Sequence, residues 1–372
     1  MGYHKNLWLV LLAAIAFLAP QPGRTDPAPV LDVVAVPHLS PEGRADYVRF
    51  LQQSIPRVFA LSPDGAWGWA AAQPDLAATE ARALALCAQW GAIGCQVYAR
   101  DLAVVWPGRD SAAPTAPTRV VQGGPGWALV PDGRFLWQGP GVARGAYVWA
   151  HGRAAGGQDS RGNQPQSHVR VFNNAGWDVL RFDRDPVLDE TAAAAAWLRG
   201  ALRVLRARGY TRVVVGGQSR GAWNALQVLD EPGLVDGVVA VAPAAHGPKG
   251  SPAWAWAVED LQQVLDHARN PRARVAVATF AGDEYDPDPD ARSRLFQALG
   301  APWPGGPRVG GLLFLDRPAG LAGHGGGAEP EFTQRYGACL LGFVEGRVEG
   351  CGQDTPRPVA TPAAAGRPAA AG

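Results

Sequence analysis

The sequence predicts an α/β fold: a mostly parallel central sheet with helices on both faces and no large cap domain, preceded by a small α+β module. Three observations predict it. From residue 145 onward, short β-branched runs alternate with helix-length amphipathic segments. One run, Val213-Val214-Val215, leads into Gly217-Gln218-Ser219-Arg220-Gly221, a strand–turn–helix pattern that lifts a serine to the edge of a sheet. Between the next strand, ending near Val241, and the helix opening at Trp254 there are only about a dozen residues, too few for an inserted domain.

In chain order, residues 1–25 read as an export signal. Lys5 gives the basic start, and Leu7 to Ala19 is an apolar run of 13 residues. A comfortable membrane span needs roughly 20. An uncleaved anchor is the alternative, and the absence of a cysteine after the run argues against a lipoprotein. Residues 26–46, rich in Pro, Ala and Asp, read as a linker. Residues 47–110 read as the α+β module. A hairpin over 59–70 turns at Pro63-Asp64-Gly65, a helix capped by Asp75 runs to about Trp90, and Cys95 to Trp106 alternates as one strand. Its tryptophans (Trp67, Trp69, Trp90, Trp106) form either the module's core or a binding surface.

A Pro/Ala/Ser-rich stretch at 107–118 marks a boundary, and 119–351 is the main domain. A hairpin is expected over Trp127–Trp137 around Pro131-Asp132-Gly133. Strands are expected at 145–150, 179–182, 213–217, 235–241, 275–280 and 312–315. Helices are expected at 191–208 (with Asp189 as cap), 223–229, 254–268, 290–299 and 331–344. Residues 352–372, mostly Pro, Ala and Gly, are expected to be disordered.

Hydrophobic residues make up 47% and charged residues 18%, which supports a substantial core. A net charge of +1 argues against nucleic acid as a partner. The four cysteines are Cys87, Cys95, Cys339 and Cys351. Local bridges Cys87–Cys95 and Cys339–Cys351 are the simplest of about three pairings, and with an export signal they fit a periplasmic or secreted protein. A zinc site is the rival reading, and neither Cys-x-x-Cys nor a nearby histidine supports it.

A serine hydroxyl needs a base, and the base needs an orienting acid. Past residue 283 the one histidine is His324, on a glycine-rich loop after the last expected strand. The acid is expected just after strand 275–280, where Asp283 comes first and Asp286 is second choice. Asp286, Asp288 and Asp290 also have the alternate spacing of a calcium loop, without its glycine and distal glutamate. After strand 235–241 the chain has no carboxylate, only His246, a wall or structural residue. Oxyanion donors are expected at the Arg220 N–H, opening the helix, and at the Arg153 N–H (or Gly152) after His151-Gly152. His151, Gly152, Trp223, Trp254 and Tyr285 are candidate pocket residues, with Trp256 nearby. The Arg220 side chain either meets an anionic substrate or is paired structurally.

From about Gly145 to Val344 these motifs resemble the α/β-hydrolases, in the order His-Gly, Gly-Gln-Ser-Arg-Gly, Gly-Asp and Ala-Gly-His. Asp283-x-x-x-Pro-x-Pro and Ala322-Gly323-His324 resemble dienelactone-hydrolase-like members, which carry a cysteine where this chain has Ser219. The N-terminal module loosely resembles small cysteine-containing modules of exported bacterial proteins. The resemblance implies a Ser219–Asp283–His324 triad, no cofactor or metal, and a small-molecule ester substrate. Two alternatives stay open: a peptidase or amidase on the same scaffold, or a non-catalytic binding protein that uses the tryptophan-rich module.

Overall fold

A computed structural model describes residues 28–352 apart from 90, 112–114, 118 and 302–303. The expected export signal, Trp90 and the tail from residue 353 lie outside the described residues.

The chain starts with a four-stranded antiparallel sheet of order β2-β1-β3-β4: β1 (Arg57–Leu61), β2 (Trp67–Ala71), β3 (Gln96–Arg100) and β4 (Ala103–Val104). The expected single strand over 95–106 is broken at Asp101, whose φ of 54° turns the chain. Helix α1 (Pro41–Leu51) packs on this sheet, and so does α2 (Leu76–Ala88), capped by Asp75 through the Ala78 N–H.

The stretch read as a linker is folded. Ser40 caps α1, and Val30, Val36 and Leu39 are buried with Tyr47, Phe50 and Phe59 in the module's core. Trp67 belongs to that core and donates from its indole to Asp46 at 3.1 Å. Trp69 and Trp106 pack against it.

Residues from 122 onward build one eight-stranded sheet. Its strands are β5 (Gln122–Gly124), β6 (Trp127–Pro131), β7 (Gly145–Ala150), β8 (Trp177–Arg184), β9 (Val213–Gln218), β10 (Gly237–Val241), β11 (Asn270–Thr279) and β12 (Val309–Asp316). The order is β12-β11-β10-β9-β7-β8-β6-β5, parallel throughout except around β6. This is the mostly parallel sheet, with helices on both faces, that the sequence predicts. The opening hairpin, however, turns at Pro125-Gly126 rather than at Pro131-Asp132-Gly133.

Alternation along each strand feeds two cores. Val213 and Val215 face one, with Leu198, Leu202, Leu226, Leu261 and Phe296. Val214 faces the other, with Phe172, Phe332 and Leu340. The first layer comprises α4 (Thr191–Ala207), α5 (Arg220–Gln227), α6 (Ala257–Asp266) and α7 (Pro289–Gly300). The second comprises α3 (His168–Asn174) and α8 (Pro330–Val344). Helix α3 has no counterpart in the sequence reading. Asp189 does not cap α4; the N-cap is Glu190, and Asp189 pairs with Arg184.

The two cysteine pairs are Cys87–Cys95, which ties the end of α2 to the start of β3, and Cys339–Cys351, which ties α8 to the segment beyond it. No helix among the described residues is long and apolar enough to cross a membrane.

Module and sheet are joined by specific bonds. The Gln164 side chain accepts from the Ile55 N–H at 3.0 Å and donates to the Ile55 carbonyl at 2.8 Å. Asn174 donates to the Leu51 carbonyl, and Leu136 is buried in the module's core.

Candidate active site

Ser219 sits between β9 and α5 with φ 55° and ψ −121°, a strained combination for a residue with a side chain. Its neighbours enforce it. The Ser219 N–H donates to Val241, and its carbonyl accepts from Trp223 and Ala244. Gly217 and Gly221 permit the close crossing: a Cβ on Gly217 would lie 2.5 Å from the Gly221 backbone, and one on Gly221 would strike the Ala150 carbonyl. The helix behind Ser219 opens at Arg220, so the first N–H groups of α5, which have no intrahelical acceptor, lie beside the serine.

His324 and Asp283 meet. Nδ1 of His324 lies 2.9 and 3.0 Å from the two Asp283 carboxylate oxygens, one of which also accepts from the Tyr285 N–H at 2.9 Å. An ionised carboxylate only accepts, so Nδ1 carries the proton and Nε2 is left as a base. Nε2 is buried and has no hydrogen-bond partner among the described residues. The Tyr285 ring stacks on the imidazole, with centroids 3.9 Å apart and planes at 27°. Burial raises the Tyr285 phenol's pKa, helped by the charges of Glu284 and Asp283.

Gln218 joins three loops. Its amide donates to the His324 carbonyl at 3.3 Å, and a Cβ on Gly152 would lie 2.5 Å from its Oε1 and 3.3 Å from the Ser219 Cβ. The elbow, the histidine loop and the His151-Gly152 loop therefore converge. Nothing in the sequence flagged Gln218, which occupies the first of the two variable positions of the Gly-x-Ser-x-Gly pattern.

His151 is part of the scaffold. Its Nε2 accepts from the Arg184 N–H at 2.9 Å, so Nδ1 is the protonated nitrogen and donates to the Gly152 carbonyl at 2.7 Å. Neither nitrogen is left for a ligand. Burial, with the Arg184 cation second, pulls its pKa down to about 4. Arg153, two residues further along the chain, is exposed.

The Arg220 side chain is spent structurally, on the Asp189 carbonyl, the Thr191 hydroxyl and the Ala245 carbonyl. Asp286 is buried and pairs with Arg292 at 3.6 Å; Asp288 caps α7, and Asp290 pairs with Arg317. Each carboxylate of the alternate triplet thus has a partner of its own.

Trp223, expected near the serine, is only 2% exposed and faces elsewhere. It lines a cavity of about 410 Å³ with Thr191, Arg199, His246, Asp260 and His267, and none of Ser219, Asp283 or His324 borders it. His246 packs edge-on against Trp223 and pairs with Asp260 at 2.5 Å. Trp254 stays at the site's edge: its indole donates to the Glu284 carbonyl at 3.0 Å, and that carbonyl also accepts from the Lys249 N–H at 2.9 Å. Trp256 stands out into solvent, 60% exposed.

No protein-family profile and no curated protein sequence matches the chain. Among solved structures it is similar to the acylaminoacyl peptidase of Pyrococcus horikoshii, at 13% identity and a TM-score of 0.42 over 60% of this chain and 40% of that one. The chain therefore spans about two fifths of that peptidase's length. It is also similar to the Pyrococcus furiosus esterase Pf2001, at 15% identity and a TM-score of 0.42 over 63% of this chain and 98% of the esterase. A third likeness is to Est1E from Butyrivibrio proteoclasticus, at 13% identity and a TM-score of 0.43 over 63% and 98%.

Proposed function

We propose that the chain is an exported serine hydrolase that cleaves carboxylic esters through Ser219, His324 and Asp283. One observation carries this reading: a serine held in a strained turn at a helix N-terminus, beside a loop whose histidine is oriented by a carboxylate and offers an unoccupied, buried Nε2. His324 takes the proton as Ser219 Oγ attacks the carbonyl carbon, and Asp283 holds the tautomer and stabilises the imidazolium. The Arg220 and Arg153 N–H groups receive the oxyanion, each contributing about 2.7–4 kcal/mol to the barrier reduction. Collapse expels the alcohol, which takes the proton from His324. Water then attacks the acyl-enzyme with the same base.

Residues 242–253 form a short connection, so the site is open from that side. A site without an inserted cap, with Trp254 beside the Glu284 turn, suits a short acyl or aryl ester. A peptidase or amidase would use the same groups, and amide and ester substrates presented in parallel separate the two. The two disulfides fit an oxidising compartment, in line with the expected export signal.

A fluorophosphonate probe is expected to label the wild type and to leave Ser219→Ala unlabelled. Folded wild type that resists the probe sinks the hydrolase reading. A chain-length series of aryl esters then defines the acyl group.

A further inference from the structure

The geometry points to Tyr285 as a positioning residue that holds the His324 imidazole and stabilises its cation, a role distinct from lining the substrate cleft. The proposal rests on His324 being the general base and adds to it the means of its control.

Three observations converge on this tyrosine. Its ring lies face-on against the imidazole at 3.9 Å, well inside the roughly 6 Å over which an aromatic face attracts a cation. Its backbone N–H donates to the same Asp283 oxygen that faces His324 Nδ1. The turn that carries it is braced from behind, because the Glu284 carbonyl accepts both the Trp254 indole N–H and the Lys249 N–H. One residue thus fixes the acid with its main chain and the base with its side chain.

The consequence is specific to one state of the reaction. A neutral imidazole gains little beyond packing from the ring face. The imidazolium that exists once Ser219 has lost its proton gains electrostatically, because the face of the ring is its negative pole. The stabilisation therefore grows as the transition state forms, and a term of that kind raises kcat rather than lowering KM. The charged groups around the pair are the Asp283 carboxylate against Nδ1, Glu284 and Asp286 on the same turn (Asp286 already paired with Arg292), and the exposed Lys249 on the bracing segment. The Asp283 carboxylate bonds the imidazole and the Tyr285 ring stacks on it.

The test uses the full chain and a short-chain p-nitrophenyl ester. Tyr285→Leu is expected to lower kcat about fivefold with KM within about twofold. Tyr285→Phe, which keeps the ring face, is expected to recover most of the loss. Should Tyr285→Leu fail to fold, phenylalanines of increasing fluorination at position 285 preserve shape while draining the ring face, and kcat is expected to fall in step with fluorination. A flat fluorination series, or a Tyr285→Phe as impaired as Tyr285→Leu, overturns the proposal. Wild type that reacts with the fluorophosphonate while the series stays flat sinks only the Tyr285 role. Wild type that does not react sinks the serine-hydrolase reading beneath it.

Discussion

Two histidines that take no part in the proposed chemistry set how the protein responds to acid. His168 is fully buried between the Trp149 and Phe332 rings, near the Tyr147 hydroxyl, and burial pushes its pKa down to about 3. His151 is held neutral at about 4. Below pH 6.5 the unfolded chain protonates both while the native state protonates neither. Stability therefore rises with pH across this window, and each histidine contributes about 1.4 kcal/mol per pH unit. Asp178 and Asp286, whose carboxyls burial raises, act in the opposite sense, so the histidine contribution is read from the difference between wild type and a histidine variant. Urea midpoints at pH 5, 5.5 and 6 are expected to climb, and His168→Gln is expected to remove about half of that slope. Unchanged slopes in the variant would show that His168 titrates normally.

At the scale of elements, the elbow rests on a buried network beneath it. Arg184, at the end of β8, pairs with Asp189 at 3.0 Å, both fully enclosed, and donates to the His151 carbonyl. The Asp189 carbonyl in turn receives Arg220, whose other donors reach Thr191 and Ala245. Asp189→Asn strands a buried guanidinium and is expected to cost about 3–5 kcal/mol in denaturant unfolding; a loss below 1 kcal/mol would mean that water reaches Arg184. None of this was legible beforehand, because an aspartate two residues before a helix signals a cap equally well. What was legible were strands β7 and β9, since parallel strands buried on both faces are continuous apolar runs. Helix α3 was not, because seven residues with Val169, Val171 and two asparagines carry little helical signal and form by packing against α8, β7 and β8. The opening hairpin turns at Pro125-Gly126 and not at the expected Pro131-Asp132-Gly133, because β6 pairs with β8, a long-range contact that local turn residues do not encode.

For the whole molecule, the module and the sheet share structure. Leu136 leaves the sheet domain to fill the module's core, Gln164 satisfies both backbone groups of Ile55, and Arg170 lies 3.9 Å from the Phe135 ring with its guanidinium buried at the junction. Separating the two would expose these groups unpaired. We propose that they unfold together. Calorimetry and tryptophan fluorescence are expected to give one coincident transition, which Gln164→Ala moves to lower temperature without splitting; two transitions would make the module an independent domain. The His324–Asp283 pair was readable because its members are few: one histidine past residue 283 and one aspartate at the strand end. The module's reach was not, since its first half is written in proline and alanine, and only Val30, Val36 and Leu39, packed against Tyr47 and Phe50, reveal it as folded.

The segment that braces Tyr285 has one further property. The chain holds 34 basic side chains, yet only Lys5 and Lys249 are lysines. Lys249 is exposed, and its backbone is tied to the Glu284 carbonyl beside the proposed base. Arginine does not react with amine-selective reagents at neutral pH, so, Lys5 and the chain's amino terminus aside, the side-chain amine available for such labelling belongs to a residue whose backbone is bonded to the turn carrying Asp283 and Tyr285. A fluorophore attached there would report substrate arrival without an engineered cysteine, which in this chain would compete with two disulfides.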